Sequence, residues 1–165
     1  MPNKLLIAIV CLMWLTACGS IPTQTVQTTH LNFAIPSYRQ TSETNQRQDT
    51  RWTQTGSLFV EYSNIDDDHD FENFVQANIN TTRQNLGTQL EDDIITTTID
   101  AQCSGSTLTG TMISFAVHQN EDVLYLSQIF TIYQKDITVI SVASASNNIR
   151  SETANSISKS ITCRP

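Results

Sequence analysis

IITTTIDA (residues 94–101), STLTGTMISFAV (106–117), VLYLSQIFTIY (123–133) and ITVISVASA (137–145) are four extended runs that follow one another along the chain. They are rich in Thr, Ile and Val, which favour β-strands. The links between them are three to five residues long. Parallel neighbours need a crossover of about a dozen residues or more, so links this short predict antiparallel pairing. The four runs therefore predict an antiparallel sheet.

A helix is predicted just before these strands, over residues 71–86. Its apolar residues recur at helical spacing: Phe71, Phe74, Val75, Ile79 and Leu86. Asp68 or Asp70 can cap its first free amide groups, and Gly87 stands where a helix ends in a left-handed residue.

A second helix is predicted after the strands, with Asn147 and Asn148 as its cap. One face of it carries Ile149, Thr153, Ala154, Ile157 and Ile161. The sequence shows no internal repeat and no second region of distinct composition. The sequence therefore predicts a single α+β domain, an antiparallel sheet with helices packed on it.

Upstream of the first helix the pattern is mixed. Residues 31–35 alternate apolar and polar side chains up to Pro36, as a first strand does. Residues 37–51 are polar without a period and predict a loop, and strand signals return over residues 52–65.

Four aromatic residues are predicted to lie in the core or, alternatively, to line a ligand groove: Trp52, Phe59, Tyr62 and Tyr125.

The N-terminus has the pattern of a secretion signal. Lys4 precedes an unbroken apolar run over residues 5–15, and small residues then lead to Cys18. The run is shorter than the about 20 apolar residues that a transmembrane helix needs. Leu15-Thr16-Ala17-Cys18 resembles the lipobox of bacterial lipoproteins. The resemblance implies that a protease removes residues 1–17 and that Cys18 carries a diacylglycerol with acyl chains such as palmitate.

Residues 18–30 then predict a lipidated tether, and residues 31–165 the folded domain. Gly19 follows the anchor residue, where Asp would resemble an inner-membrane retention signal. The expected location is therefore the cell envelope, at the periplasmic face of the outer membrane. Without its leader the chain has eight basic and 16 acidic residues, a net charge of −8. Such a charge repels phosphate backbones, so nucleic acid is not an expected partner.

Cysteine usage points to the same compartment. Cys11 leaves with the leader and Cys18 is taken by the lipid, so Cys103 and Cys163 remain as a possible pair. In an oxidising compartment we expect them to form a disulfide. The alternative is two separate buried thiols.

The residues that could carry chemistry are few. Asp66-Asp67-Asp68-His69-Asp70 is dense in oxygen ligands but lacks the spacing of a calcium loop, so it predicts a solvated, helix-capping loop and no metal site. His30, His69 and His118 are too scattered along the chain for a zinc site to be read from spacing. Neither a nucleophile motif nor a phosphate-binding glycine loop occurs. We therefore predict no catalytic residue and no cofactor.

The order of elements resembles the PsbP-like fold, which bacterial lipoproteins of the DcrB type share with the extrinsic PsbP protein of photosystem II. The likeness is carried by Phe33-Ala34-Ile35-Pro36-Ser37-Tyr38, by the predicted helix over 71–86, by segments 125–130 and 139–144, and by the terminal segment 156–161. These are core and turn patterns, so they imply a fold and transfer no site residue. Members of this family are mostly accessory or binding proteins, so the resemblance implies such a role.

Three functions are compatible with these features. The first is a lipid-anchored envelope protein that acts, without chemistry of its own, as a binding or accessory module for another envelope protein. The second is a periplasmic protein that binds a small molecule or a metal ion. The third is an enzyme whose site is assembled from distant residues.

Overall fold

The computed structural model describes residues 23–28, 30–36, 40–45, 48–55, 58–66, 70–103, 106–133 and 136–164. In chain order these form β1 (Thr23–Gln27), β2 (Leu31–Pro36), β3 (Gln40–Asn45), β4 (Gln48–Thr55), β5 (Leu58–Asp66), α1 (Phe71–Leu86), a 3-10 turn (Gly87–Gln89), β6 (Ile95–Cys103), β7 (Ser106–Gln119), β8 (Asp122–Tyr133), β9 (Asp136–Ser144), α2 (Asn147–Ser160) and β10 (Thr162–Cys163).

The strands lie in the order β1-β2-β10-β6-β7-β8-β9-β5-β4-β3. Each pair of neighbours is antiparallel except β10 and β6, which are parallel. The predicted single α+β domain, with helices packed on an antiparallel sheet, is confirmed.

Successive side chains of a strand point to opposite faces, and each face of this sheet has its own core. On one face Ile129 packs with Ala154 and Ile157 of α2. On the other face the next residue, Phe130, packs with Val75 and Ile79 of α1. The two helices therefore cover opposite faces of the central strands.

The helix predicted over residues 71–86 is confirmed at both ends. The Asp70 side chain accepts a hydrogen bond from the backbone N–H of Glu72 at 3.0 Å, so Asp70 is the N-cap. Gly87 follows the last helical residue with a φ of 48°, which glycine adopts without a steric penalty. For α2 the predicted cap is wrong. Ser146 takes that position, because its hydroxyl accepts from the backbone N–H of Ile149 at 3.4 Å.

The predicted tether over residues 18–30 is wrong in its second half. β1 pairs antiparallel with β2, starting with Thr23 opposite Pro36. Val26 is buried in the core on the α2 side. One apolar residue in a polar run gives no period-two signal, so pairing with β2, rather than local pattern, makes this stretch a strand. The described sheet thus begins at Thr23 and not at Leu31.

The loop predicted over residues 37–51 is also wrong. β3 and β4 form an antiparallel hairpin that runs from Gln40 opposite Thr53 to Asn45 opposite Gln48. Backbone hydrogen bonds between two strands do not require alternating apolar and polar residues, so the polar sequence does not reveal this hairpin. Because β3 ends the sheet order, it is an edge strand, where polar residues discourage pairing with other chains.

The C-terminus is fixed between two parts of the sheet. β10 pairs with β2 on one side and with β6 on the other. Cys103 at the end of β6 is joined to Cys163 of β10 by a disulfide, with a Cα–Cα distance of 4.9 Å. The next residue, Arg164, donates hydrogen bonds from its backbone N–H to the His30 carbonyl and from its guanidinium to the Thr28 carbonyl, both at 2.8 Å.

Candidate functional site

The predicted leader and anchor lie outside the described residues. This applies to residues 1–22, with Cys11, Cys18 and Gly19, and to residues 67–69 of the acidic loop. The part of the chain that the structure describes holds no helix that is both long and apolar enough to cross a bilayer.

At the described end of the acidic loop, Asp70 acts as a cap. Besides the bond to the Glu72 N–H, its carboxylate accepts from the Asn73 amide at 3.3 Å, and its carbonyl accepts from the Phe74 N–H at 2.9 Å. The helix-capping interpretation therefore holds for this residue. Across the described ranges, no group of three or more His, Cys, Asp or Glu side chains is placed to hold a metal ion.

Two of the three histidines lie in described segments, far apart in the fold. His30, in the β1–β2 turn, places its Nε2 atom 3.2 Å from the Asp136 carboxylate, and its ring centroid lies 6.1 Å from that of Tyr133. His30 is thus part of a packed turn rather than of a free tether. His118 lies near the tip of the β7–β8 hairpin and is exposed.

A groove of about 440 Å³ lies between α1 and the end of the β7–β8 hairpin, and we call it the α1 groove. Its lining consists of Thr82, Asn85, Leu86, Gln89, Phe115, Val117, His118, Gln119, Leu124 and Leu126. Its volume falls within the about 300–1,000 Å³ range of ligand pockets.

The α1 groove exists because the hairpin is longer than the helix that covers it. After α1 ends, the chain passes Gly87 and runs beside β7, where Leu90 forms an isolated β-bridge with Val117. β7 and β8 stay paired beyond that point, as far as Gln119 opposite Asp122. No helical turn covers this end of the hairpin within the described residues, so Val117 and its partner Leu124 are only half-buried.

The chemistry of the α1 groove is that of a binding surface. Its lining is mostly apolar and includes the amides of Asn85, Gln89 and Gln119. The only titratable side chain in the lining is His118. Such a surface suits a neutral ligand that has an apolar part and a few hydrogen-bonding groups.

A smaller pocket of about 110 Å³ contains Arg150 of α2, and we call it the Arg150 pocket. The guanidinium donates to the hydroxyl of Ser127 at 2.6 Å and to the side-chain oxygen of Asn147. Ser127 is fully buried and shares a 2.8 Å hydrogen bond with Ser114. Partial burial lowers the pKa of Arg150, because it removes water from the charged guanidinium.

Arg150 has no carboxylate partner among the described residues, and its buried Nε atom has no acceptor there. The nearby Asp93 is engaged elsewhere, since it accepts from the Arg83 guanidinium at 2.7 Å and from the Ile94 N–H at 2.8 Å. These bonds, led by the one from Arg83, lower the pKa of Asp93.

In contrast, burial raises the pKa of Glu61 on β5.

A third concavity of about 310 Å³ separates β1 and β2 from α2, and we call it the α2 groove. It is lined by Thr23, Ala34, Pro36, Ile149, Glu152, Thr153 and Ser156. Thr23, the first described residue, therefore forms part of its wall.

The predicted aromatic residues do not form one groove. Tyr62 is buried and its ring meets that of Phe33 edge-on, with centroids 5.3 Å apart. Phe59 is half-buried, and Tyr125 lines the Arg150 pocket. The side chain of Trp52 lies outside the described part. The core interpretation therefore holds for Tyr62.

Sequence reasoning missed both Arg150 and the α1 groove. Arg150 reads locally as a polar residue in a helix, and its partner Ser127 lies 23 positions away. Phe115, Val117, Leu124 and Leu126 of the groove were correctly predicted to lie on strands, and Leu86 on the helix. No local pattern in the sequence shows where α1 ends relative to these strand residues.

No protein-family model and no curated protein matches the chain. The solved structures that are similar to it at low identity include the following two. One is PA94 from Pseudomonas aeruginosa, described as a protein of unknown function, at 12% identity, with a TM-score of 0.38 over 74% of this chain and 82% of that one. The other is LpqN, involved in cell envelope biogenesis of Mycobacterium tuberculosis, at 14% identity, with a TM-score of 0.44 over 90% of this chain and 86% of that one. Because no family model matches, the resemblance to PsbP-like proteins stays a hypothesis.

Proposed function

We propose that the protein is a lipid-anchored component of the cell envelope, whose single domain binds another envelope component and carries no chemistry of its own. The observation that carries this proposal is the leader, with Lys4, the apolar run over residues 5–15 and the lipobox-like residues that end at Cys18. Gly19 favours the periplasmic face of the outer membrane. We also propose that this single domain has a PsbP-like fold.

Two features of the described domain support an exported location. The disulfide between Cys103 and Cys163 suits an oxidising compartment, since cytosolic thiols are kept reduced. The described part of the sheet begins at Thr23, five residues after the proposed anchor. An ordered domain attached this closely to a lipid is held at a membrane surface.

Replacing Cys18 with serine is expected to release the protein from the membrane fraction. The reason is that serine has no thiol to carry the diacylglycerol, and two or more acyl chains are what make such an anchor stable. Cell fractionation followed by immunoblotting measures the change. Cys11→Ser is the matched control, because Cys11 lies inside the apolar run and is expected to leave the protein membrane-bound. A Cys18→Ser protein that stayed quantitatively in the membrane would refute the anchor.

A second function, the binding of a small neutral molecule, is favoured by the α1 groove. Its volume of about 440 Å³ and its mostly apolar lining fit a ligand of this kind. In this role the protein would capture its ligand beside the sheet and need no protein partner.

We expect the α1 groove to bind the neutral apolar dye N-phenyl-1-naphthylamine in a saturable way. Leu124→Ser is expected to weaken this binding about fivefold, because it removes about 1 kcal/mol of apolar contact from the groove. Fluorescence titration measures the affinity. Ile149→Ser, on the opposite face of the sheet, serves as the control and should bind as the unmodified protein does. Equal affinity in both variants, or no saturable binding, would exclude the α1 groove as the site.

A further inference from the structure

The distance between the proposed anchor and the folded domain limits how the domain can sit on a membrane. From Cys18 to Thr23 the chain makes five steps, which span at most about 18 Å when fully extended. A domain of this length has a radius of gyration of about 15 Å and is therefore about 35–40 Å across. The connection is about half as long as the domain is wide, so Thr23 cannot lie on the half of the domain that points away from the membrane.

The face of the sheet on which Thr23 lines the α2 groove carries the exposed apolar side chains of the described ranges. Two large hydrophobic residues are exposed in the described ranges, Ile95 at 65% and Ile149 at 38%. Ile149 lines the α2 groove together with Thr23. Ile95 lies opposite Ser114, which bonds to Ser127 on the face that α2 covers. Both isoleucines therefore lie on the same side of the sheet.

Arg150 is close to both of these isoleucines. It follows Ile149 in the sequence and shares the lining of the Arg150 pocket with Ile95. Its guanidinium has hydroxyl and amide acceptors but no carboxylate partner among the residues described. A guanidinium without a counter-ion pairs well with phosphate, with which it can form two parallel hydrogen bonds. Apolar side chains close to such a cation suit the interface between headgroups and acyl chains.

The other charges on this surface indicate which lipid fits. Glu152 lines the α2 groove. Glu91, Asp92 and Asp93 line the Arg150 pocket, where Asp93 is paired with Arg83. Without its leader the whole chain also carries a net charge of −8. Anionic lipids would be repelled by these carboxylates, whereas a zwitterionic headgroup offers its phosphate to Arg150 and its amine to the acidic residues.

We propose that the surface formed by Ile95, Ile149 and Arg150 lies against the zwitterionic phospholipids of the membrane that holds Cys18. This inference rests on the proposed lipid anchor and adds the orientation of the domain. It leaves α1 and the α1 groove on the side of the sheet that faces away from the bilayer, open to a partner or a ligand.

Fluorescent labels on the two faces test this orientation. Ile149→Cys and Ala77→Cys each introduce one reactive thiol, because Cys103 and Cys163 are bridged and Cys18 is expected to be lipidated. Ala77 is an exposed residue of α1 and is the matched control. The full-length protein, processed in cells and labelled with bimane, is reconstituted into phosphatidylcholine vesicles that contain a nitroxide-bearing lipid. Circular dichroism confirms that both variants fold alike.

The label at position 149 is expected to be quenched at least about threefold more strongly than the label at position 77, since two layers about 10 Å thick separate the helices. Adding anionic lipid to the vesicles should not increase quenching at position 149. If the protein floats with the vesicles but both labels are quenched equally, or position 77 more, the orientation is refuted while the anchor stands. If the protein does not float with the vesicles at all, the anchor itself is refuted, and the orientation with it.

Discussion

Replacing Cys103 with serine is expected to lower the free energy of unfolding by about 4 kcal/mol, because the disulfide restricts a loop of 60 residues in the unfolded chain. The effect is large because of where the bridge lies. Cys163 belongs to β10, which pairs with both β2 and β6 and so joins the β1–β2 pair to the rest of the sheet. Without the bridge, the two-residue strand β10 pairs with β2 and β6 by hydrogen bonds alone, and the packing of β2 residues such as Phe33 against α2 is the remaining link.

Urea unfolding, followed by circular dichroism, measures this loss with and without a reductant. The unmodified protein should fall to the stability of Cys103→Ser when the reductant is added, whereas the variant should not respond to it. Cys163→Ser should match Cys103→Ser, since either change breaks the same bond. A reductant that leaves the unmodified protein as stable as before would show that the bridge does not contribute to the fold.

Replacing Ile157 with alanine is expected to cost about 2–5 kcal/mol, the usual range when a buried aliphatic side chain is truncated. Ile157 lies at the centre of the face that α2 buries and is 0% exposed. Ala154 and Ile129 belong to the same core, so a cavity there cannot be filled by solvent. The change should therefore weaken the packing of α2 on the sheet.

Ile149→Ala is the matched control, because it is the same substitution in the same helix, two turns earlier. Ile149 is 38% exposed and is expected to cost less than about 1 kcal/mol. Thermal unfolding of both variants, with the disulfide intact, gives the comparison. Equal losses in the two variants would contradict the assignment of Ile157 to the core and of Ile149 to the surface.

How well each part of the fold could be predicted depends on its side-chain pattern. The central strands and both helices carry apolar residues at strand or helix spacing, and they are found close to their predicted positions. β1, β3 and β4 consist mostly of Thr, Gln, Ser and Asn. The sequence predicted a tether over β1 and a loop over β3 and residues 48–51 of β4, whereas it predicted a strand from Trp52 onward. These strands exist because of backbone pairing with a neighbour, which local periodicity does not report.

The candidate sites were less predictable than the fold. Cys103 and Cys163 could be paired by elimination, because few cysteines remain once the leader and the anchor are set aside. The environment of Arg150 depends on Ser127 and Ser114, which are distant in sequence and meet only when β7, β8 and α2 assemble. The α1 groove depends on the difference in length between a helix and a hairpin. Features of this kind become visible only in three dimensions.

The central claim is that a protease removes the leader and leaves a lipid on Cys18, outside the cytoplasm. Intact-mass spectrometry of the native protein, extracted from membranes without reductant, tests it most directly. We expect a chain that begins at Cys18, carries the mass of the diacylglycerol and its acyl chains, and is two hydrogen atoms lighter than its reduced form because of the bridge. A native protein that begins at Met1 and carries no lipid would contradict the account.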